Sequence, residues 1–215
     1  MWSPIFISLK ISITATTIVL ILGIIFAFIS VNKDFIGKNI FETLLTMPLV
    51  IPPSITGYVL LVVLGKHGFI GKLIYEITGK RIIFTWGAAV IAAVIVSLPL
   101  MYQSIKATLL SVKKGYIEGA QMLGATKKQR FLYVILPLSL RGIIAGIVLS
   151  FCRAMGEFGA TLMVAGNMPG KTQTIPLAVY FAVEAGDWKK ANILLGVVVI
   201  SSFLGIYLID KFNKK

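Results

Sequence analysis

The chain has 215 residues, of which 57% are hydrophobic and 13% charged, and its mean hydropathy is +0.92. This composition excludes a soluble globular domain and predicts an all-α integral membrane protein. The formal net charge of +13 does not indicate nucleic acid, because the basic residues lie at the ends of apolar runs, where membrane topology places them. With one Cys, one His and eight acidic residues, we predict no catalytic site, no metal site and no enzyme.

Apolar runs long enough to cross a bilayer recur along the chain, since a spanning helix needs about 20 residues. The predicted spans are 11–31, 44–65, 82–101, 142–166 and 193–209. We therefore predict a bundle of five transmembrane helices in a single membrane domain, residues 1–215. The run 174–183 is too short for a hydrocarbon core of about 30 Å and is interpreted as a re-entrant or surface helix, with a sixth span as the alternative.

The second predicted span contains prolines that interrupt the helical hydrogen-bond ladder, Pro48, Pro52 and Pro53. The carbonyl groups that they leave free must be satisfied by neighbouring groups or by water in a cavity. Two interpretations stay open: a kinked helix that only packs, or a segment that lines a pathway. In the second case Ser54 and Thr56 are the polar groups best placed to contact a solute.

Two charges lie within the fourth predicted span. Arg153 and Glu157 are four residues apart, so on one helix they share a face and can pair. Either charge alone costs about 2.5 to 3.5 kcal/mol at the bilayer centre, so both should face protein or water. A structural bridge and a polar gate, which would also include Thr161, explain the pair equally well.

The longest polar interruption, residues 103–136, is basic and punctuated by glycines. Within it, residues 116–123 predict a short helix with Tyr116, Ala120 and Leu123 along one side. Gly124 should end this helix in the left-handed conformation.

A second short helix, 127–133, is predicted to follow with Thr126 as its N-cap. Leu136 and Pro137 should then stop the run and return the chain to the membrane. The whole segment is interpreted as a compact two-helix knob, and a pair of amphipathic helices lying in the lipid headgroups is the alternative.

The distribution of Lys and Arg predicts the topology. These residues are more numerous on the side of the bilayer that holds segment 103–136 and the basic tail 211–215. Basic residues accumulate in cytoplasmic loops. We therefore expect a multi-pass protein of the cytoplasmic membrane with its N-terminus outside and its C-terminus inside.

Segment 103–136 resembles the cytoplasmic EAA loop of ABC importer permeases, which reads Glu-Ala-Ala, three residues, Gly, nine residues, Ile, one residue, Leu-Pro. Gly119 and Val134 replace the first Ala and the Ile of that pattern with similar or smaller residues. The resemblance implies a type I ABC importer permease fold and a loop that docks into a groove of a separate ATPase subunit. The residues that it assigns to ATPase coupling are Tyr116, Glu118, Gly119, Ala120, Leu123, Gly124, Leu136 and Pro137.

Residues 153–161 and 166–177 are similar to the permeases for molybdate, tungstate and sulfate, most of all to those for molybdate. This implies alternating access by a homodimer with two ABC ATPase subunits and an extracytoplasmic oxyanion-binding protein. The partner ATPases would use ATP and Mg, so no cofactor is expected in this chain. Tungstate or sulfate is the alternative substrate, and an ATP-independent channel or secondary anion transporter is the alternative class.

Overall fold

The computed structural model describes residues 2–213, so Met1 and two lysines of the basic tail, Lys214 and Lys215, lie outside the described residues. All regular structure in this part of the chain is helical, which confirms the predicted all-α class. The helices are α1 (Trp2–Asn32), α2 (Lys38–Thr46), α3 (Pro53–Leu64), α4 (Phe69–Thr78), α5 (Trp86–Ser111), α6 (Lys114–Met122), α7 (Lys127–Arg130), α8 (Leu136–Met155), α9 (Gly159–Ala165), α10 (Ile175–Glu184) and α11 (Trp188–Asn213).

Four described helices are long and apolar enough to cross a bilayer: Trp2–Asn32, Trp86–Ser111, Lys127–Met155 and Trp188–Tyr207. A fifth span arises if α2 and α3, which are bent by 115° relative to each other, count as one broken crossing. The predicted membrane bundle is therefore confirmed. Helix α10 has 10 residues and falls short of the roughly 20 needed to span.

The centre of the bundle is built from α1, α5 and α8, which approach closely through small residues. A Cβ added at Gly23 of α1 would lie 2.6 Å from the Met101 side chain of α5. On the other side of α5, the Ser104 hydroxyl donates a 2.7 Å hydrogen bond to the carbonyl oxygen of Gly142. Small residues at helix crossings favour association in lipid, where van der Waals contact rather than water exclusion holds helices together.

Helices α1, α5 and α11 run in one direction, and the helix Lys127–Met155 runs against them. Near their C-terminal ends, α1 and α5 are joined by a 3.0 Å hydrogen bond from the Tyr102 hydroxyl to Ser30 Oγ. Segment 112–126 therefore lies at the end of the bundle where α1, α5 and α11 terminate, here called the loop end. The opposite end, where α1 begins, is called the far end. This arrangement agrees with the predicted placing of the N-terminus opposite the polar segment.

The second predicted span, 44–65, is not one helix. A short 3-10 turn, Met47–Leu49, follows α2, and Pro52 is extended at φ −52° and ψ 135° before α3 begins. Neither proline of the Pro52–Pro53 pair has an amide hydrogen, and each disfavours helical geometry in the residue before it. The prediction of a break was right, but the 115° bend is far sharper than a kink.

The fourth predicted span, 142–166, is also interrupted. Helix α8 ends at Met155, and α9 begins only at Gly159. Gly156 has low helix propensity, and the Glu157 carboxylate accepts a 2.7 Å hydrogen bond from the amide of Ala160, so it satisfies a free donor at the start of α9. The expectation that Arg153 and Glu157 share one helix was therefore wrong.

Two boundaries of the polar segment also differ from the prediction. Helix α5 continues through residues 103–111, so the connection between long helices is only 112–126. Pro137 does not stop a helix, since Lys127–Met155 is continuous. A π-helical turn, Phe131–Ile135, precedes the proline. Its wider hydrogen bonding accommodates a residue that has no amide and whose ring would clash with a regular turn.

Candidate coupling loop and intramembrane ion pair

Helix α6 ends in a Schellman motif centred on Gly124. The amide of Ala125 donates to the carbonyl oxygen of Ala120 at 3.0 Å, and the amide of Gly124 donates to that of Gln121 at 3.0 Å. Gly124 has φ +82°, and a Cβ built on it would meet nothing within 4 Å. The demand for glycine is therefore conformational rather than steric. The left-handed cap predicted from the sequence is present.

Two side-chain contacts fix the angle between α6 and the helix that follows. Thr126 and Gln129 form a capping box, in which the Thr126 amide donates to Gln129 Oε1 at 2.8 Å and the Gln129 amide to Thr126 Oγ1 at 3.3 Å. Arg130 Nη1 donates to Gln121 Oε1 across the loop. Thr126 was predicted as the cap, whereas Gln129 and the Arg130 contact were missed. The Thr-x-x-Gln spacing could have revealed the first, but only the fold reveals the second.

The outer surface of α6 carries apolar side chains that nothing in the described part of the chain covers. Tyr116 is 57% exposed and Leu123 is 90% exposed, and Glu118 lies on the same helix with its side chain in solvent. A Cβ added at Gly119 would meet no atom within 4 Å. Large exposed apolar groups on a polar loop are typical of a surface that binds a partner protein.

Leu136 and Pro137, which were also assigned to coupling, lie apart from this surface. Both belong to the first turn of α8 rather than to the loop. Leu136 packs against the buried cluster around Tyr102 and Ile143, while Pro137 is exposed. These two residues therefore connect the loop to the bundle, and α6 supplies the free surface.

Arg153 and Glu157 form an ion pair, although the helix ends between them. Arg153 Nη1 lies 2.7 Å from Glu157 Oε2, and the other carboxylate oxygen accepts the hydrogen bond at the start of α9. The Glu157 side chain is 2% exposed and that of Arg153 is 28% exposed. Both oxygens of a nearly buried carboxylate are thus occupied, so the pair stabilises the break between α8 and α9. Its use as a gate stays a prediction.

The remaining predicted pathway residues meet where α3 contacts α9. A Cβ added at Gly57 would lie 2.7 Å from the Cα of Ala160, so the two backbones touch. Ser54 is exposed beside Gly159, whereas Thr56 and Thr161 are buried, and the Thr56 hydroxyl lies 3.5 Å from the Pro52 carbonyl. The fold therefore brings the polar start of α3 next to the segment that holds the ion pair.

Residues 19–212 match the family described as binding-protein-dependent transport system inner membrane component. The chain is 40% identical over 212 residues to the molybdenum transport system permease protein ModB of Escherichia coli (strain K12), with 96% of this chain and 93% of ModB covered. It is 29% identical over 195 residues to the sulfate transport system permease protein CysT of Salmonella typhimurium, with 91% and 70% covered.

A crystal structure of the MetNI methionine ABC transporter, in an inward facing conformation, has a similar fold. The two chains superpose with a TM-score of 0.74 at 17% identity, covering 100% of this chain and 96% of the other. At so low an identity the likeness concerns the arrangement of the helices alone.

Proposed function

The chain belongs to the family of inner membrane components of binding-protein-dependent transport systems and is the permease subunit of an ABC importer, and we propose that it carries molybdate. One observation carries the choice of substrate: identity to ModB is 40% over nearly the full length of both chains, against 29% to the sulfate permease CysT. Tungstate and sulfate are tetrahedral dianions as well, so they are the competing substrates.

We propose that the working unit holds two copies of this chain, two ABC ATPase subunits and an external oxyanion-binding protein. The exposed apolar side chains of α6, among them Tyr116 and Leu123, favour insertion into a groove of the ATPase. Large outward-facing residues of α1 and α11, such as Ile21 and Phe203, suit contact with lipid or with the second copy. We expect ATP and Mg to act in the ATPases rather than in this chain.

We further propose that the loop end faces the cytoplasm, with the N-terminus outside and the C-terminus inside. The connection 112–126 and the start of α7 expose Lys113, Lys114, Lys127 and Lys128, a concentration of charge that resists translocation. The far end would then receive the binding protein. The turn 166–174 at that end is held internally, since Gln173 Nε2 donates to Asn167 Oδ1 at 2.9 Å, and it exposes Lys171.

In this mechanism ATP binding draws the two α6 helices together, and the bundle changes from inward to outward access. Movement of α6 reaches the membrane through α5 on one side and through Lys127–Met155 on the other. The Arg153–Glu157 pair lies at the break in the second of these paths. We propose that it acts as a gate, and a purely structural bridge is the competing role. Arg153 offsets the charge of Glu157, and both oxygens of that carboxylate already have partners, so the pair suits a barrier better than an anion-binding site.

The substrate is tested by uptake of labelled molybdate into vesicles that contain the complete complex, the binding protein and internal ATP. We expect accumulation that requires ATP, falls strongly with excess tungstate and falls less with excess sulfate. Sulfate competing as well as molybdate would identify a sulfate permease instead. Uptake without ATP or an ATPase subunit would indicate a channel or secondary transporter.

A further inference from the structure

The two halves of the broken span are held by different neighbours. Helix α3 touches the backbone of α9 at Gly57, as described above. Helix α2 has no buried residue. It is attached mainly by Phe41, whose ring meets that of Phe26 edge-on at 5.5 Å, by Leu45, and by an ion pair to α5. Residues 50–52 between the two halves are outside regular helix, so the halves can change their mutual angle by rotation at Val50, while Pro52 and Pro53 stay rigid.

The ion pair joins Glu42 of α2 to Lys106 of α5. Lys106 Nζ lies 2.6 Å from Glu42 Oε2, and the two side chains are 25% and 23% exposed. The ammonium group also lies 5.6 Å from the centre of the Tyr102 ring, and Tyr102 in turn donates its hydroxyl hydrogen to Ser30 of α1. Lys106 is thereby fixed in position by α5 and α1, and it fixes Glu42.

Lys106 lies near the end of α5, the helix that leads into α6. Only Val112 and Lys113 separate the last residue of α5 from the first residue of α6. This two-residue extended link can absorb a change of angle but not a large displacement, so a large displacement of α6 moves this end of α5. The 3-10 turn Met47–Leu49 also contacts α5. Apolar contacts can slide, whereas a short charge-assisted contact fixes the register of two helices.

We propose that Glu42 and Lys106 are positioning residues that transmit the movement of α6 to α2, so that the broken span bends at the break 50–52 when ATP binds. This inference rests on the proposed function in requiring an ATPase at α6. It adds a branch to the path through α5, and this branch ends on the half of the broken span nearest the loop end. Neither residue needs to touch the transported anion.

The test uses the complete transporter in vesicles and measures molybdate taken up per ATP hydrolysed. Glu42→Gln and Lys106→Gln should each lower this ratio by roughly 2- to 30-fold, the range typical of residues that carry coupling between sites. Lys106→Arg keeps the charge and should retain most of the wild-type ratio. The matched control is Asp34→Asn, which removes the 2.9 Å ion pair with Lys38 but leaves the contact between α2 and α5 in place.

Charge reversal separates a specific link from general damage. The double variant Glu42→Lys, Lys106→Glu should recover at least part of the ratio lost in either reversed single variant. The proposal would be overturned if the double variant takes up no more molybdate per ATP than the worse of the two reversed single variants. It would also be overturned if Glu42→Gln and Asp34→Asn give the same ratio of molybdate to ATP.

A second readout does not depend on the substrate. Spin labels at Asn39 of α2 and Tyr58 of α3, both exposed, report the angle of the broken span in a Cys152→Ala background. ATP should change the distance between the labels in the otherwise wild-type complex and change it much less with Glu42→Gln. Equal changes in both would refute the link. If the wild-type complex takes up no molybdate but still shows the movement of the labels, molybdate is refuted as the substrate, while the link between Glu42 and Lys106 stays supported.

Discussion

Replacing Gly124 by Val should uncouple the transporter while leaving its membrane bundle intact. The φ of +82° lies in the left-handed region, where a residue with a Cβ costs about 1 to 2 kcal/mol and a β-branched one more. Without the two capping hydrogen bonds, α6 is a nine-residue helix, and so short a helix is marginal alone. A penalty of about 1 to 2 kcal/mol lowers the ratio of correctly folded to unfolded loop by roughly 5- to 30-fold.

Two further variants and two measurements test the role of the cap at Gly124. Gly124→Asn should keep most activity, because Asn tolerates the left-handed conformation. Gly115→Ala, in the same helix and also without neighbours within 4 Å of an added Cβ, is the matched control and should leave activity unchanged. The assays are co-purification of the ATPase with the permease and ATP-dependent molybdate uptake. Wild-type uptake by Gly124→Val would refute the role of the cap, as would equal losses in the Val and Asn variants.

Three further substitutions test the remaining parts of the mechanism. Glu157→Ala leaves Arg153 without its partner, so we expect a loss of up to about 3 kcal/mol of stability and raised ATPase activity without substrate. Unchanged ATPase activity without substrate, together with no leak of anions through the permease, would count against a gate. Gly57→Leu forces side-chain atoms into the α9 backbone and should lower the stability by about 1 to 3 kcal/mol, measured as a lower Tm. In the control Gly196→Ala the added Cβ has free space, so the Tm should stay unchanged. Leu123→Asp places a charge on the exposed end of α6 and should weaken ATPase binding in a pull-down, while a normal pull-down would exclude Leu123 from that interface.

Local features of the fold were predictable from the sequence, because their determinants lie within one turn of each other. The cap at Gly124 and the N-cap at Thr126 follow from residue type and from the spacing to the helix start. The long apolar runs also revealed the spans, since length and hydropathy decide whether a helix can cross a bilayer.

Other features depend on groups that are distant in the chain, and the sequence did not reveal them. The break after Met155 is stabilised by the Glu157 carboxylate. One of its oxygens pairs with Arg153, and the other accepts the hydrogen bond from the amide of Ala160 at the start of α9. The spacing of the residues alone does not indicate this double role. The contact between Glu42 and Lys106 joins two helices whose packing is known only from the fold. Among the predicted site residues, the coupling set divides between α6 and the start of α8, and Thr56 proved to be buried.

The π turn at Phe131–Ile135 lets the helix Lys127–Met155 hold one residue more than a regular helix of the same number of turns. A turn of this kind contains one residue more than a regular turn, and each residue of a helix corresponds to a rotation of about 100°. The extra residue is therefore taken up within the wide turn, and Lys127–Arg130 keep the direction relative to α8 that a regular helix one residue shorter would give. Deleting a residue of this turn would leave the direction of the loop nearly unchanged, whereas deleting one from a regular part of α8 would rotate the loop by about a quarter turn. The direction of the proposed ATPase-binding surface thus depends on the number of residues in the regular turns, independently of any side chain on that surface.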